Sequence, residues 1–340
     1  MRPRLEPFQR IAVAALFSVI LLIFVGAFVR ATGAGLGCPD WPTCWGCYIP
    51  PTSIDQVDFE RLDIERFKKH AARHGENPDN ITEESLRKQF NPVHVWTEYI
   101  NRLTSLPVGL FSIMVAGMGI QQWRRKRPWV FVSGITALFV VLINAWLGMK
   151  VVLSGLKPGI ITLHMALAIF LLGLLVYIAW RGCERPWRLP LTGKDKRILR
   201  ILILALLAFT IFEGLIGSQV REMTDQLARS HVDMPRQSWT QELEATWVYL
   251  IHRSFSWVIF GCAMAFYLTA RNALPQGCRW LEKAILGFVI GQMILGIILS
   301  QIGILAAAQV LHIGLSSLLI SAIALWILGA FAREDHATPA

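Results

Sequence analysis

The chain has 340 residues and a formal net charge of +10; 54% of its residues are hydrophobic and only 16% are charged. A water-soluble domain carries roughly 25% charged residues, so this composition excludes a soluble globular fold. The positive charge does not indicate nucleic acid as a partner, because the basic residues gather in alternate loops between long apolar stretches.

Eight apolar stretches are each long enough to cross the ~30 Å hydrocarbon core of a bilayer. Helices are expected, because lipid cannot hydrogen-bond to free backbone groups and no barrel-like alternation occurs. The fold class is therefore an all-α polytopic membrane protein. We interpret the first stretch as an uncleaved helix rather than a signal peptide, although Arg2, Arg4 and Arg10 precede it. The predicted spans are about 11–29, 95–119, 129–150, 160–180, 198–218, 246–269, 283–301 and 305–331.

The distribution of basic residues predicts the orientation of these spans. Lys and Arg cluster at 124–127, 181–200, 271–283 and Arg333. By the positive-inside rule these segments and both termini face the cytoplasm of a bacterial inner (plasma) membrane. The loops at 30–94 and 219–245 are then external.

The first external loop contains three cysteines within "GCPDWPTCWGCYIPP": Cys38, Cys44 and Cys47. Disulfides persist outside the cytoplasm, so one pair among the three is expected, with one thiol left over. The sequence is compatible with either a structural role or a redox role for this disulfide. The same loop carries a polar insert, "DFERLDIERFKKHAARHG", that is predicted to be helical. Cys183, Cys262 and Cys278 receive no function.

The chain divides near 181–197, a basic linker, into two segments that can be aligned. Residues 1–180 form the first four-helix bundle, 198–331 the second, and 332–340 a tail. Similar motifs recur in the same order in both segments: "GAFVR" aligns with "IGSQVR", and "EYINR" aligns with "YLIHR". A glycine also precedes a histidine by 16 residues in each half. We interpret this as a parallel internal repeat with a pseudo-two-fold axis along the membrane normal.

Three histidines lie inside predicted spans, where an ionisable residue indicates a functional site: His164, His252 and His312. Haem iron needs only axial ligands, and a four-helix bundle can hold a macrocycle between facing side chains. His252 and His312 would sandwich one iron. Arg221 and Arg253 lie where propionates would emerge. Small residues near His312 would leave room for a flat ring: Gly314, Ser316 and Ser317.

The first half repeats this site with changes. His164 matches His312, but Asn101 stands where the second half has His252. An amide is a poor iron ligand, so this site is five-coordinate, ligated by water, or completed by His94. His94, Glu98 and Asn101 share one helix face. Glu98, whose counterpart is Tyr249, suits an acid/base or cation-stabilising role beside a bound haem.

These residues resemble the haem A synthase family over about 11–331. The segment "VRATGAGLGCPDWPTC" at 29–44, the E-x-x-[H]-R helix start and the ordered histidines carry the resemblance. It implies eight helices in two pseudo-symmetric bundles. It also implies oxidation of the C8 methyl group of haem O to the formyl group of haem A, through hydroxylated intermediates, for haem-copper oxidases.

The resemblance also implies roles for individual residues. His252 and His312 become ligands of a haem b cofactor, His164 a ligand of the substrate haem, and Glu98 the catalytic glutamate. The external cysteine pair becomes Cys38–Cys44, with Cys47 an extra. The chain departs from the family pattern at Asn101, where a second ligand is usual. The cofactor-binding candidates are His252, His312, Arg221, Arg253, His164, Arg30, Arg102, His94 and Asn101.

Two other functions were weighed against this one. A di-haem b-type electron carrier explains the histidines but not Glu98 in one half only. A transporter with intramembrane histidines is disfavoured, because the histidines gather towards one face; Glu213 could serve a proton path but is expected to pair with a neighbour. For the synthase, the expected partners are haem O, the bilayer, a haem O synthase, oxidase assembly factors and an electron acceptor of unknown identity.

Overall fold

The computed structural model describes residues 5–73, 77–154, 158–189, 191, 195–231, 234, 238–274, 279–303 and 305–332. Several sequence features lie outside these ranges: Arg2, Arg4, His74, Pro190, Gly193, Cys278 and the tail from Arg333.

Eight long helices of the described chain are apolar enough to cross a membrane. This confirms the eight predicted spans and an all-α multi-pass membrane protein. The first five of these helices extend beyond the predicted limits at both ends, whereas the seventh ends at Ile297, before its predicted limit of 301. The eight helices are α1 Pro7–Ala31, α4 Pro92–Arg124, α5 Pro128–Leu153, α6 Pro158–Arg181, α7 Asp195–Ser230, α9 Trp247–Ala273, α10 Trp280–Ile297 and α11 Ala306–Phe331. Three shorter helices are α2 Ile64–Arg73, α3 Glu83–Gln89 and α8 Thr240–Glu244.

Local sequence signals explain where the long helices begin. Four of them, α1, α4, α5 and α6, start at a proline, whose missing N–H and fixed φ suit the first helical position. Asn91 caps α4 by accepting hydrogen bonds from the backbone N–H groups of Val93 and His94. Thr246 caps α9 through the N–H of Tyr249. The helix α10 ends in a π-helical turn, Ile298–Ile302, followed by Gly303 at φ 142°.

The long helices form two closed rings of neighbours. In one ring α1 and α5 each contact α4 and α6, and in the other α7 and α10 each contact α9 and α11. Each ring encloses an apolar core; Leu172 and Leu175 lie at the centre of the first, and Phe266 and Trp326 at the centre of the second. The helices α1 and α6 contact α11, which joins the rings. The division of the chain at 181–197 into two related halves stays a prediction.

The segment between α1 and α4 forms a small folded unit of its own. Helix α2 confirms the helical prediction for the polar insert in part, since residues 58–63 before it are not α-helical. Trp45 packs at 5.4 Å from the ring of Phe67 and 5.0 Å from that of Phe90. We call the end of the bundle that carries residues 32–91 the disulfide end, because this unit contains the Cys38–Cys44 bond.

Candidate functional site

Two imidazoles face each other inside the second ring of helices. His252 lies on α9 and His312 on α11, each within two turns of the first residue of its helix. Their ring centroids are 6.4 Å apart and the rings are nearly perpendicular, at 79°. Imidazole nitrogens bind metal ions at roughly 2 Å, so one ion held by a nitrogen from each ring fits this separation.

Glycines of neighbouring helices bring the backbone close to these rings. A Cβ atom at Gly217 of α7 would lie 3.0 Å from Cε1 of His252. A Cβ atom at Gly296 would lie 3.8 Å from Cε1 of His312, and one at Gly148 would lie 3.4 Å from Cε1 of His164. All three imidazoles are therefore seated against a helix that has no side chain at the contact point.

The Nδ1 atoms of these three histidines are buried and make no hydrogen bond. The main-chain carbonyl of Asn144 lies beside the His164 ring, and that of Gln292 beside the His312 ring. Nδ1–H groups of ligating histidines commonly donate to such carbonyls, which leaves Nε2 free for a metal. The main-chain carbonyls beside His164 and His312 are therefore consistent with Nε2 of each ring as a ligand of haem iron.

A side-chain amide holds the backbone of His312. Gln292 donates to the main-chain carbonyl of His312 at 2.7 Å and to Oγ of Ser316 at 2.8 Å. Asn144, the corresponding residue of α5, has a buried Oδ1 without a hydrogen bond. The second site is thus more firmly held than the first.

Asn101 lies on α4, on the side that faces α1. Its Oδ1 lies 3.9 Å from where a Cβ of Gly26 would be, and Gly26 and Gly217 each precede an arginine by four residues. Asn101 therefore faces α1 as His252 faces α7.

Glu98, one turn from Asn101, is 4% exposed. Arg102 donates from Nε to Oε1 of Glu98 at 3.3 Å. The structure therefore brings Glu98 and Asn101 to one helix face, as the spacing predicts, and pairs the buried carboxylate with a guanidinium.

The remaining donors of Arg102 bind the loop that carries the disulfide. Its Nη1 donates to the carbonyls of Asp40 and Thr43 at 3.2 and 2.9 Å, and its Nη2 to the carbonyl of Cys38 at 2.8 Å. The sequence analysis includes Arg102 only among the cofactor-binding candidates. The structure adds a contact between this loop and Glu98, made through one guanidinium.

The buried carboxylate of Asp40 organises the same loop. It accepts hydrogen bonds from the backbone N–H of Trp45 at 2.7 Å, from Oγ1 of Thr43 at 2.6 Å and from the N–H of Gly46 at 2.8 Å. The disulfide joins Cys38 and Cys44, which confirms the predicted pair, and Cys47 is a free thiol. Sequence reasoning missed Asp40, because two of its three partners are backbone N–H groups of a turn.

The other three arginines among the cofactor-binding candidates are Arg30, Arg221 and Arg253. Arg30 and Arg221 converge on Asp225 of α7, at 3.2 and 2.9 Å, and Arg221 also donates to Oε1 of Gln309 at 2.8 Å. Arg253 is exposed. Asp225 and Gln309 were missed, since the Arg30–Asp225 and Arg221–Gln309 contacts join different helices.

Two further predictions concern His94 and the space beside Gly314. His94 lies in the first turn of α4, where its carbonyl would be 2.3 Å from a Cβ of Gly37; its role as a ligand stays a prediction. The expectation that Gly314 leaves room for a flat ring is wrong, because Phe24 of α1 occupies that space, 2.2 Å from where a Cβ of Gly314 would be.

Within the described residues no group of three or more His, Cys, Asp or Glu side chains could hold a metal ion by itself.

Comparison with known proteins gives consistent matches. A family model described as "Cytochrome oxidase assembly protein" matches residues 9–324. A "Heme A synthase" of Sphingopyxis alaskensis is 26% identical over 349 residues, covering 96% of this chain and 93% of the relative. A "Heme A synthase" of Wolbachia pipientis wMel is 26% identical, covering 86% and 84%. A "Heme A synthase" of Shewanella oneidensis is 25% identical over 228 residues; the match covers 66% of this chain and 60% of that relative.

Proposed function

Because the chain belongs to the cytochrome oxidase assembly protein family, we propose that it is a haem A synthase. In this proposal it is a membrane oxidoreductase that oxidises the C8 methyl group of haem O to the formyl group of haem A. The observation that carries the proposal is the pair of facing intramembrane imidazoles, His252 and His312, together with the buried carboxylate of Glu98 in the half of the chain that contains His164.

The resident cofactor is a haem b held by His252 and His312. Three features support the fit: the 6.4 Å separation of the rings, their orphaned Nδ1 atoms, and the contact of His252 with Gly217. When bound, this haem accepts electrons singly and passes them on. The protein holds both imidazoles from opposite helices, and Gln292 keeps the His312 backbone in place.

The substrate haem O binds in the first half, with His164 as its iron ligand. Asn101 offers no imidazole, so the opposite side of the iron is open, occupied by water, or reached by His94. An open position suits an exchangeable substrate, whereas two histidines suit a permanent cofactor. This difference assigns substrate to the first half and cofactor to the second.

The chemistry requires both an electron acceptor and a proton acceptor. Conversion of a methyl group to a formyl group takes its oxygen from water and releases four electrons and four protons. Glu98 is positioned to take protons at the substrate or to stabilise positive charge that develops at the methyl carbon. Arg102 orients the Glu98 carboxylate through the 3.3 Å contact and ties it to the disulfide loop.

The propionates of the two haems are held by arginines at the disulfide end. Arg30 and Arg221 share Asp225, and Arg253 is exposed beside His252. A guanidinium can bind one carboxylate while it keeps another, so Asp225 sets the spacing of the two arginines. Arg102, in contrast, has its Nη groups on loop carbonyls, and we assign it to holding the loop and Glu98.

The remaining parts of the proposal concern architecture and surroundings. The two rings of helices are halves of a parallel repeat, which the matched contacts of Gly26 with Asn101 and of Gly217 with His252 support. The disulfide end faces outwards from a bacterial inner membrane, with the termini in the cytoplasm. A haem O synthase supplies the substrate, and oxidase assembly factors receive the product. The electron acceptor is a separate component.

Haem analysis of variants tests this function. The chain is expressed with a haem O synthase in a host that lacks any other haem A synthase, and membrane haems are identified by liquid chromatography and mass spectrometry. Haem A should accumulate with the unmutated chain and be lost with Glu98→Gln, while haem b of the protein is retained. Glu84→Gln, at a side chain 79% exposed, is the control. Haem O left unchanged by the unmutated chain, with haem b bound, would favour a di-haem electron carrier instead.

A further inference from the structure

A second buried carboxylate lies at the haem b site. Glu213 of α7 has a side chain that is 13% exposed, and its Oε1 lies 3.1 Å from Nδ1 of His252. Both of its carboxylate oxygens are buried and make no hydrogen bond. A carboxylate inside a membrane-spanning helix is costly unless it has a partner, and the imidazole is the group within reach.

The position of Glu213 on α7 is tied to that of the glycine against His252. Glu213 precedes Gly217 by four residues, so both lie on one face of the helix. A Cβ at Gly217 would lie 3.0 Å from Cε1 of His252. The same helix face therefore brings its backbone to one edge of the imidazole and a carboxylate to Nδ1.

The first half of the chain offers an internal comparison. Glu213 precedes Arg221 by eight residues, and the residue eight before Arg30 is Leu22. Leu22 packs against the apolar core of the first ring, and the residue facing α1 there is Asn101. The carboxylate therefore occurs only where the facing residue is a histidine.

Among the described residues, no carboxylate is paired with His312, the other imidazole of the pair. Its ring lies beside the main-chain carbonyl of Gln292, and the side chain of Gln292 is bonded to the His312 carbonyl and to Ser316. A carbonyl is a weaker acceptor than a carboxylate. The two axial positions are thus chemically unequal.

We infer that Glu213 is a positioning residue for the haem b ligand His252, accepting the Nδ1–H hydrogen bond and lowering the midpoint potential of the haem. This inference rests on the proposed function, since it takes His252 as an iron ligand. A carboxylate on the remote nitrogen fixes the tautomer and the ring orientation and makes the ligating nitrogen more basic. A more basic ligand stabilises ferric iron more than ferrous iron. The two atoms are 3.1 Å apart but lack the alignment of a hydrogen bond, so the inferred bond requires a reorientation of the imidazole or the carboxylate.

Redox titration of the purified haem b protein tests the inference. Glu213→Leu mimics Leu22 and removes the acceptor; it should raise the midpoint potential by about 60 mV, which corresponds to a tenfold change in the relative stability of ferric and ferrous haem. Glu213→Gln keeps an acceptor oxygen and should raise it less. Glu242→Gln, which removes a carboxylate from a side chain 56% exposed on α8, should leave the potential unchanged.

The outcomes separate the inference from the function it rests on. Potentials that rise in the order Gln then Leu, with altered electron paramagnetic resonance g values of the low-spin haem, would support the role of Glu213. Unchanged potentials in haem-loaded variants would overturn this inference alone. If the Glu213→Leu variant does not accumulate, the Glu213→Gln variant provides the test: an unchanged midpoint potential and unchanged g values would overturn the inference equally. An unmutated protein purified without haem b would overturn the proposed function, and this inference with it.

Discussion

Substitution of Gly217 by alanine should weaken haem b binding without destabilising the protein that lacks haem. The added Cβ would lie 3.0 Å from Cε1 of His252, whereas ordinary contacts of this kind begin at 3.4 Å. The imidazole must therefore move by a few tenths of an ångström. In the free protein that movement is inexpensive, because the contacting atom is the end of a side chain. A ligating imidazole has no such freedom, since metal–ligand distances hold within about 0.2 Å.

The magnitude follows from these two effects. Alanine favours an α-helix over glycine by about 1 kcal/mol, so the thermal stability of the haem-free protein should be unchanged or higher. Overpacking against a fixed group costs about 1–3 kcal/mol, which corresponds to about 5- to 150-fold weaker haem b binding.

Haem titration of the purified apoprotein, followed by the bis-histidine absorption bands, measures this affinity, and a thermal melt measures stability. Gly296→Ala is the matched control in the same site, because its Cβ would lie 3.8 Å from Cε1 of His312. Equal haem affinity in Gly217→Ala and Gly296→Ala would refute the reasoning, as would a loss of affinity that only accompanies unfolding.

Three further substitutions test the surrounding contacts. Arg102→Lys should increase proteolysis of the disulfide loop, because one ammonium cannot replace a guanidinium that bonds three carbonyls; normal resistance would contradict this. Asp225→Asn should lower the free energy of unfolding by no more than about 1 kcal/mol, since the carboxylate is partly exposed. The loss should still exceed that of Asp58→Asn, because the ion pair of Asp58 is on the surface. Glu282→Ala should lower the free energy of unfolding by about 3–5 kcal/mol, because the fully buried carboxylate accepts a 2.7 Å hydrogen bond from Nε1 of Trp326. Denaturant unfolding in detergent measures this loss, and a value below about 1 kcal/mol would refute the role of Glu282.

The sequence was sufficient to predict the membrane fold because hydropathy acts over whole helices. It placed all eight spans, and it predicted a helical insert in the first external loop, which α2 confirms in part. The length of α7 was underestimated. The continuous apolar stretch ends near 218, but the helix runs to Ser230, and Arg221 and Asp225 pair within this extension.

The site was less predictable, because its contacts join distant parts of the chain. The histidines were found from their depth in apolar spans, and facing imidazoles at 6.4 Å agree with that expectation. The bonds from Arg102 to the disulfide loop could not be found, since they run to main-chain carbonyls about 60 residues away. The space beside Gly314 was misjudged for a similar reason: Phe24, which fills it, belongs to the first helix.

The most direct test of the central claim is the identity of the haems that co-purify with the chain after co-expression with a haem O synthase. The proposed function predicts haem B, extracted from the resident site, together with haem A or a hydroxylated form of haem O from the substrate site. Haem B accompanied only by unmodified haem O, in a protein with normal bis-histidine absorption, would contradict it.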